Sequence, residues 1–275
     1  MGEVRLLTPQ DIPGAMRLKD AAGWNQTPAD WRNVMTLAPD GCFGMESDGV
    51  LRATATAVCY GRELAWIGMV LTDPAYRGRG LARSLMEHAL GYLSRRGVQW
   101  VKLDATDMGH ALYERLGFRN ESVIERWMRP PGAPRPTTAR RPPVFESDEV
   151  LDRQAFGADR AALLRLLAGI ESASIAGEAF AMGRPGSNAA YFGPCVARSS
   201  GPARDLLTWF VEQHQHESVY WDILPANPEA VAIAREFGFE RVRKLMRMTV
   251  EAGKNSPALA KRDELVFATA GFEYG

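Results

Sequence analysis

Apolar and polar positions along this chain switch between two periods, and the switches mark its elements. Residues 3–7 (EVRLL), 42–46 and 50–60 are short strand-like stretches. The last two are separated by Asp48-Gly49, a dipeptide suited to a tight hairpin. Thr8-Pro9-Gln10-Asp11 and Thr27-Pro28-Ala29-Asp30 each set a capping hydroxyl, a proline and an acid in the order of a helix start. The apolar run Trp66 to Leu71 predicts a buried strand, ended by Thr72-Asp73-Pro74. Beyond Arg77-Gly78-Arg79-Gly80-Leu81-Ala82, the positions Leu81, Leu85, His88, Ala89 and Leu93 recur at helical spacing. Residues 63–96 therefore predict a strand, a glycine-rich turn and a helix. Residues 98–105 predict the next strand, followed by a helix around Tyr113 and a strand around 121–129.

The turn is the first piece of chemistry. A helix entered through glycines offers unpaired backbone N–H groups and the positive end of its dipole, which together favour an anion. Gly78 and Gly80 can take positive φ and let a ligand approach the backbone, while Arg77 and Arg79 add charge suited to phosphate. A tight turn made for geometry alone would use the same glycines. No Gly-Lys-Ser/Thr follows, so this is not a Walker loop, and the glycine offsets differ from the dinucleotide fingerprint.

The run R-G-R-G-L-A at 77–82 resembles the pyrophosphate-binding signature of the GCN5-related N-acetyltransferase (GNAT) superfamily. Ala111-Leu112-Tyr113-Glu114-Arg115-Leu116-Gly117-Phe118 resembles that superfamily's second motif. The resemblance implies an α/β (α+β) fold in βααβββαβαβ order and acetyl-coenzyme A as cosubstrate. Arg77, Gly78, Arg79, Gly80, Leu81 and Ala82 would hold the pyrophosphate. Backbone groups of Val70, Leu71 and Thr72 would hold pantetheine, with the Val70 N–H on the acetyl carbonyl and a bulge near Met69-Val70. Thr106 stands where many relatives place a pantetheine-contacting asparagine. Tyr113 would donate a proton to the departing thiolate. The position where several relatives carry a basic Glu is Trp66, which takes no proton. Glu63, Asp104 and a water relay then remain open as the base, with Asp104 alternatively capping a loop. Trp24 and Asn25 fall in the loop that contacts the acceptor in relatives, and Trp66 on the acceptor side of the strand. His110 reads as a packed or solvated histidine.

The second half echoes the first in degenerate form. Tyr220-Trp221-Asp222, Phe237-Gly238-Phe239 and Leu245-Met246-Arg247 repeat Val101–Asp104, Leu116–Phe118 and Trp127–Arg129 in order. This half also resembles the C-terminal domain of YitH-type tandem acetyltransferases. The expectation is two tandem GNAT folds, each a mixed, mostly antiparallel sheet flanked by helices: 1–129, a Pro/Arg-rich linker at 130–145, and 146–275. The second copy lacks the R-G-x-G turn, has Pro202 where a phosphate site wants an N–H, and has Ala234 in place of Tyr113. It is expected to shape the acceptor site without binding cofactor productively. Asn227 reads as a helix cap.

Composition narrows the class further. With 33 basic and 33 acidic residues the formal charge is zero, which provides no global attraction to nucleic acid or membrane. The three cysteines have no metal or redox spacing, and no His/Cys/Asp cluster suggests a metal. No signal-like or transmembrane-length run is present, so a cytoplasmic setting is expected. The functional expectation is an N-acetyltransferase acting on the amine of a small molecule by direct attack. The alternative is a non-catalytic protein that responds to acetyl-coenzyme A.

Overall fold

The computed structural model describes residues 3–133 and 148–275. The first half runs β1 (Val4–Leu6), α1 (Ile12–Ala21), α2 (Pro28–Leu37), β2 (Cys42–Ser47), β3 (Val50–Tyr60), β4 (Leu64–Thr72), α3 (Leu81–Arg95), β5 (Trp100–Ala105), α4 (Asp107–Arg115) and β6 (Arg119–Arg129). Both expected helix starts form reciprocal caps: the Thr8 and Thr27 N–H groups donate at 2.7 Å to Asp11 and Asp30. Asp48 and Gly49 both take positive φ, as a two-residue hairpin turn requires.

The second half runs α5 (Glu149–Phe156), α6 (Ala161–Ala168), β7 (Glu171–Ile175), β8 (Ala179–Arg184), β9 (Ala190–Ala197), α7 (Ser200–Gln213), β10 (Val219–Ile223), α8 (Pro228–Glu236), β11 (Glu240–Glu251) and β12 (Val266–Ala268). From its helix pair onward it repeats the order of the first half. Asn227 caps α8, its side-chain oxygen accepting from the Glu229 and Ala230 N–H groups. Most of the expected linker, from 134 onward, lies outside the described residues.

Strand pairing does not follow the expected boundaries at 129 and 146. All strands join one sheet in the order β1-β2-β3-β4-β5-β11-β6-β10-β9-β8-β7, with β12 beside β9. The last long strand of each half thus crosses over: β11 pairs with β5 of the first half, and β6 pairs with β10 of the second. Two buried ion pairs register the exchange. Arg247 of β11 holds both oxygens of Asp104 at 2.9 and 3.0 Å, and Arg126 of β6 holds both of Asp222 at 2.7 Å. Sequence periodicity fixes which face a side chain takes but not which strand lies beside it, so the exchange is invisible to it.

A third cluster ties the halves at their edge. Glu121 accepts from Lys102 at 2.8 Å and pairs with Lys261 at 2.7 Å. Burial opposes its charge, but the two ammonium groups outweigh that and hold its carboxyl down at about 2. Lys102 falls to about 8, because burial and Lys261 disfavour the inner ammonium more than Glu121 favours it. Glu121 therefore adds stability above the unfolded carboxylate range near pH 4.5, and that stability is lost as pH falls toward about 2. In urea melts, Glu121→Gln is expected to be less stable than the parent at pH 7, with the gap closing as pH falls through that window.

No helix among the described residues is long and apolar enough to cross a membrane.

Candidate active site

The site opens where β4 leaves its neighbours. Parallel pairing of β4 with β5 runs from Leu64↔Trp100 to Trp66↔Lys102 and stops there. On its other side, β4 jumps register from Gly68↔Thr56 to Leu71↔Thr54, so Met69 and Val70 fall out of the ladder. Met69 takes φ 49°, a strained value for a side-chain-bearing residue, and its carbonyl accepts from the Thr54 hydroxyl at 2.7 Å. This is a bulge at the expected place, and it turns the Val70 backbone out of the sheet. Leu71 and Thr72 rejoin β3 and lead to the turn.

Asp73 anchors that turn. Its carboxylate accepts from the Ala75 N–H and pairs with Arg17 at 3.1 Å and Arg52 at 2.9 Å. Gly78 and Gly80 take φ 75° and 83°, and a Cβ built on either meets nothing within 4 Å. The glycines are thus needed for backbone angle, and the space before them is open. Gly80 caps α3, whose first N–H groups have no partner within the helix. Arg77, Gly78, Arg79 and Gly80 are exposed, whereas Leu81 packs into the core and Ala82 is half-buried. Tyr76 carries Arg79 over its ring at 4.5 Å and Arg52 at 4.2 Å. The turn offers a helix N-terminus, open space and two exposed arginines, which suits an anion such as a diphosphate.

Below the turn, β4 and β5 part around a cavity of about 50 Å³. Its first-half walls are Ile67 to Val70, Leu103, Asp104, Thr106 and Tyr113, with Trp24 and Gln26 from the loop between α1 and α2. Tyr113 is brought in by α4, and its ring sits so close to Gly109 that a Cβ there would lie 2.8 Å from it. Burial pushes its hydroxyl above the ordinary tyrosine value, so at neutral pH it keeps a proton to give. The second half supplies Arg243, Leu245, Phe272 and Glu273, and β6 supplies Arg126.

Three expected site residues are placed differently. Trp66 points away from this cavity; its indole N–H donates to the Phe272 carbonyl at 2.9 Å and Arg247 stacks 4.5 Å over its ring. Asn25 spends its amide on the second half: its nitrogen donates to the Ala189 carbonyl, and its oxygen accepts from the Asn188 and Ala189 N–H groups. Asp104 does line the cavity, but both its oxygens are held by Arg247, and burial pushes its carboxyl up. Glu63, the other carboxylate considered, lies at the far end of β4, paired loosely with Arg153. His110 bonds Asn120 outside the cavity.

Sequence reasoning missed Gln26, Arg243 and Glu273. Glu273 reaches the bulge because segment 269–275 crosses β4 at Gly68, where a Cβ would lie 2.9 Å from the Glu273 Cα. Its carboxylate accepts from Arg184 at 2.7 Å and Gln26 at 2.8 Å. Burial, partly offset by Arg184, pushes that carboxyl above the ordinary range. For Arg243 the available signal was the alternation Arg243, Leu245, Arg247 along one strand, from which a register shift removes Arg241.

The second half carries the same bulge without its donor. β9 jumps from Phe192↔Gly183 to Cys195↔Ala181, which aligns Gly193-Pro194 with Met69-Val70. Pro194, matching Val70, has no N–H. The space between β9 and β10 is also filled by chain: β12 pairs with β9, the Trp221 indole donates to the Phe267 carbonyl, and the Thr269 N–H donates to the Asp222 carbonyl.

Comparisons with known proteins match each half of the chain separately. Residues 15–118 match the profile described as the acetyltransferase (GNAT) family, and residues 149–268 match an acetyltransferase (GNAT) domain. The N-alpha-acetyltransferase RimI of Mycobacterium tuberculosis is 31% identical over 113 residues, covering 38% of this chain and 69% of that protein. The [ribosomal protein bS18]-alanine N-acetyltransferase of Escherichia coli is 43% identical over 60 residues, covering 21% of this chain and 40% of that protein. The chain spans only 31% to 40% of the length of the first curated relatives it matches. Among solved structures, a putative acetyltransferase from Pyrococcus horikoshii superposes with a TM-score of 0.85 at 21% identity, covering 99% of this chain and 95% of that one.

Proposed function

This chain belongs to the GNAT acetyltransferase family as a tandem member, and from that premise we propose that it moves an acetyl group from acetyl-coenzyme A to the amine of a small molecule. The observation that carries the reading is convergence. The Val70 bulge and Tyr113 border one cavity, and β4, the strand that carries the bulge, leads directly into the phosphate-type turn.

Each residue then has a physical task. The turn at 77–82 binds the pyrophosphate, and the slot between Val70 and Thr106 takes the pantetheine arm, with Leu71 and Thr72 continuing the wall toward the turn. The Val70 N–H donates to the thioester carbonyl oxygen, where negative charge develops. Glu273 accepts the proton that the acceptor ammonium must lose before its nitrogen can attack. Tyr113 donates its proton to sulfur as the carbon–sulfur bond breaks. Asp104 acts as a positioning residue through Arg247, and Trp24 closes the acceptor side. The cavity's small volume and its walls from both halves favour a compact acceptor.

The test is calorimetric titration with acetyl-coenzyme A. One site per chain is expected, with affinity reduced at least about tenfold in Gly80→Val, whose side chain disfavours positive φ and intrudes on the anion's path. A Gly80→Val protein that melts normally and binds as tightly as the parent would overturn the assignment of the turn. Two sites per chain would overturn the silent role given to the second half.

A further inference from the structure

We propose that the acceptor carries an acidic group, a carboxylate or a phosphate monoester, read by Arg243. The inference rests on the acetyltransferase reading above and names the substrate class of that site.

Most charges around the cavity are already matched. Asp104 is held by Arg247, Arg126 by Asp222, and Glu273 by Arg184. Arg243 is the exception: among the described residues it has no carboxylate within 4 Å and no hydrogen bond to its guanidinium. Burial, and then the neighbouring charge of Arg126, disfavour its protonated form; Asp222 and Asp107 offset this only from a distance. A half-buried guanidinium repelled by a neighbour is costly, and an incoming anion would remove that cost.

A second, independent observation lies on another wall. Gln26 is 5% exposed, and its side-chain oxygen has no donor among the described residues. Its orientation is set by Glu273, since only the amide nitrogen can face that carboxylate. An orphaned acceptor beside a carboxylate suits an N–H-bearing group, which is the amine. When the amine is neutral for attack, the ionised acid faces Arg243 with one negative charge for a carboxylate and about 1.5 to 2 for a phosphate monoester near pH 7.

The test compares matched amines in the full-length protein: β-alanine against 3-aminopropanamide, and phosphoethanolamine against ethanolamine. Turnover is read as thiol release from acetyl-coenzyme A. Binding is read separately, as a rise in Tm of protein with and without coenzyme A. At least one acidic member should be favoured about a hundredfold in kcat/KM, chiefly through KM. Arg243→Gln should remove that preference, Arg243→Lys should restore part of it, and the acetyl-coenzyme A Kd should not change. Which acidic member responds separates carboxylate from phosphate. Equal use of neutral and acidic amines, a preference retained in Arg243→Gln, or a weakened acetyl-coenzyme A Kd in that variant would overturn the proposal. So would normal acetyl-coenzyme A binding with no response to either acid. If acetyl-coenzyme A itself fails to bind, the acetyltransferase reading falls, and the Tm arm on the free protein still decides whether Arg243 holds an acid.

Discussion

Replacing Tyr113 with phenylalanine is expected to lower kcat by about 10²-fold while leaving the acetyl-coenzyme A Kd unchanged. The ring is retained, so its packing against Phe118 and its seat beside Gly109 persist, and only the hydroxyl is lost. The reaction would still have its bound thioester and its Val70 donor. The thiolate, however, would leave without a proton supplied at the sulfur. A protein that only responds to acetyl-coenzyme A predicts a different result: tight binding, no turnover with any amine, and no consequence of this change. Glu273→Gln provides the complementary reading. It should remove the acidic limb of the kcat/KM–pH profile, because the group that must be ionised to accept the amine's proton is gone. Tyr113→Phe should leave that limb in place. A Tyr113→Phe enzyme with parental kcat would remove the general-acid assignment.

Arg247→Met is expected to destabilise the protein by about 3–5 kcal/mol at pH 7, because it removes one partner of a buried ion pair. Methionine can still pack over Trp66, but Asp104 is left as a buried charge without a partner. Because burial already pushes the Asp104 carboxyl up, removing the guanidinium moves it further in the same direction. A carboxyl whose folded pKa is raised gains proton-linked stability as pH falls through that pKa, so the variant's deficit should shrink in mild acid. Adding Asp104→Asn should recover much of the loss at neutral pH, since the uncompensated charge goes with it. Denaturant melts of the two single variants and the double variant measure this as a coupling energy. Additive losses in that cycle would mean the pair does not secure the exchanged strand.

The two halves divide along what local sequence can carry. The helix starts at Thr8 and Thr27, the Asp48-Gly49 hairpin, the glycine turn and the Tyr113 helix were legible because each depends on residues close in the chain. The bulge at Met69-Val70 followed from family resemblance, and the register jump lies there. The acceptor side was read less well. Asn25 and Trp66 were placed at the pocket because they fall at pocket positions in relatives, yet their polar atoms are taken by Ala189 and Phe272. Asp104 does line the cavity, but its partner lies on β11, far along the chain.

By itself, then, the sequence determined the order of elements, the glycine turn, the place of Tyr113 on α4 and the absence of that turn from the second copy. Those features rest on backbone propensities and on spacings within one element. Tertiary structure alone decided that β6 and β11 change places, and that Pro194 stands at the second bulge's donor position. It also decided that Glu273 and Arg243 reach the first half's cavity. Alternation along a strand says which side chains share a face. Which distant strand covers that face is set by pairing and burial across the whole sheet, and here that choice brings second-half residues to the cavity beside the Val70 bulge.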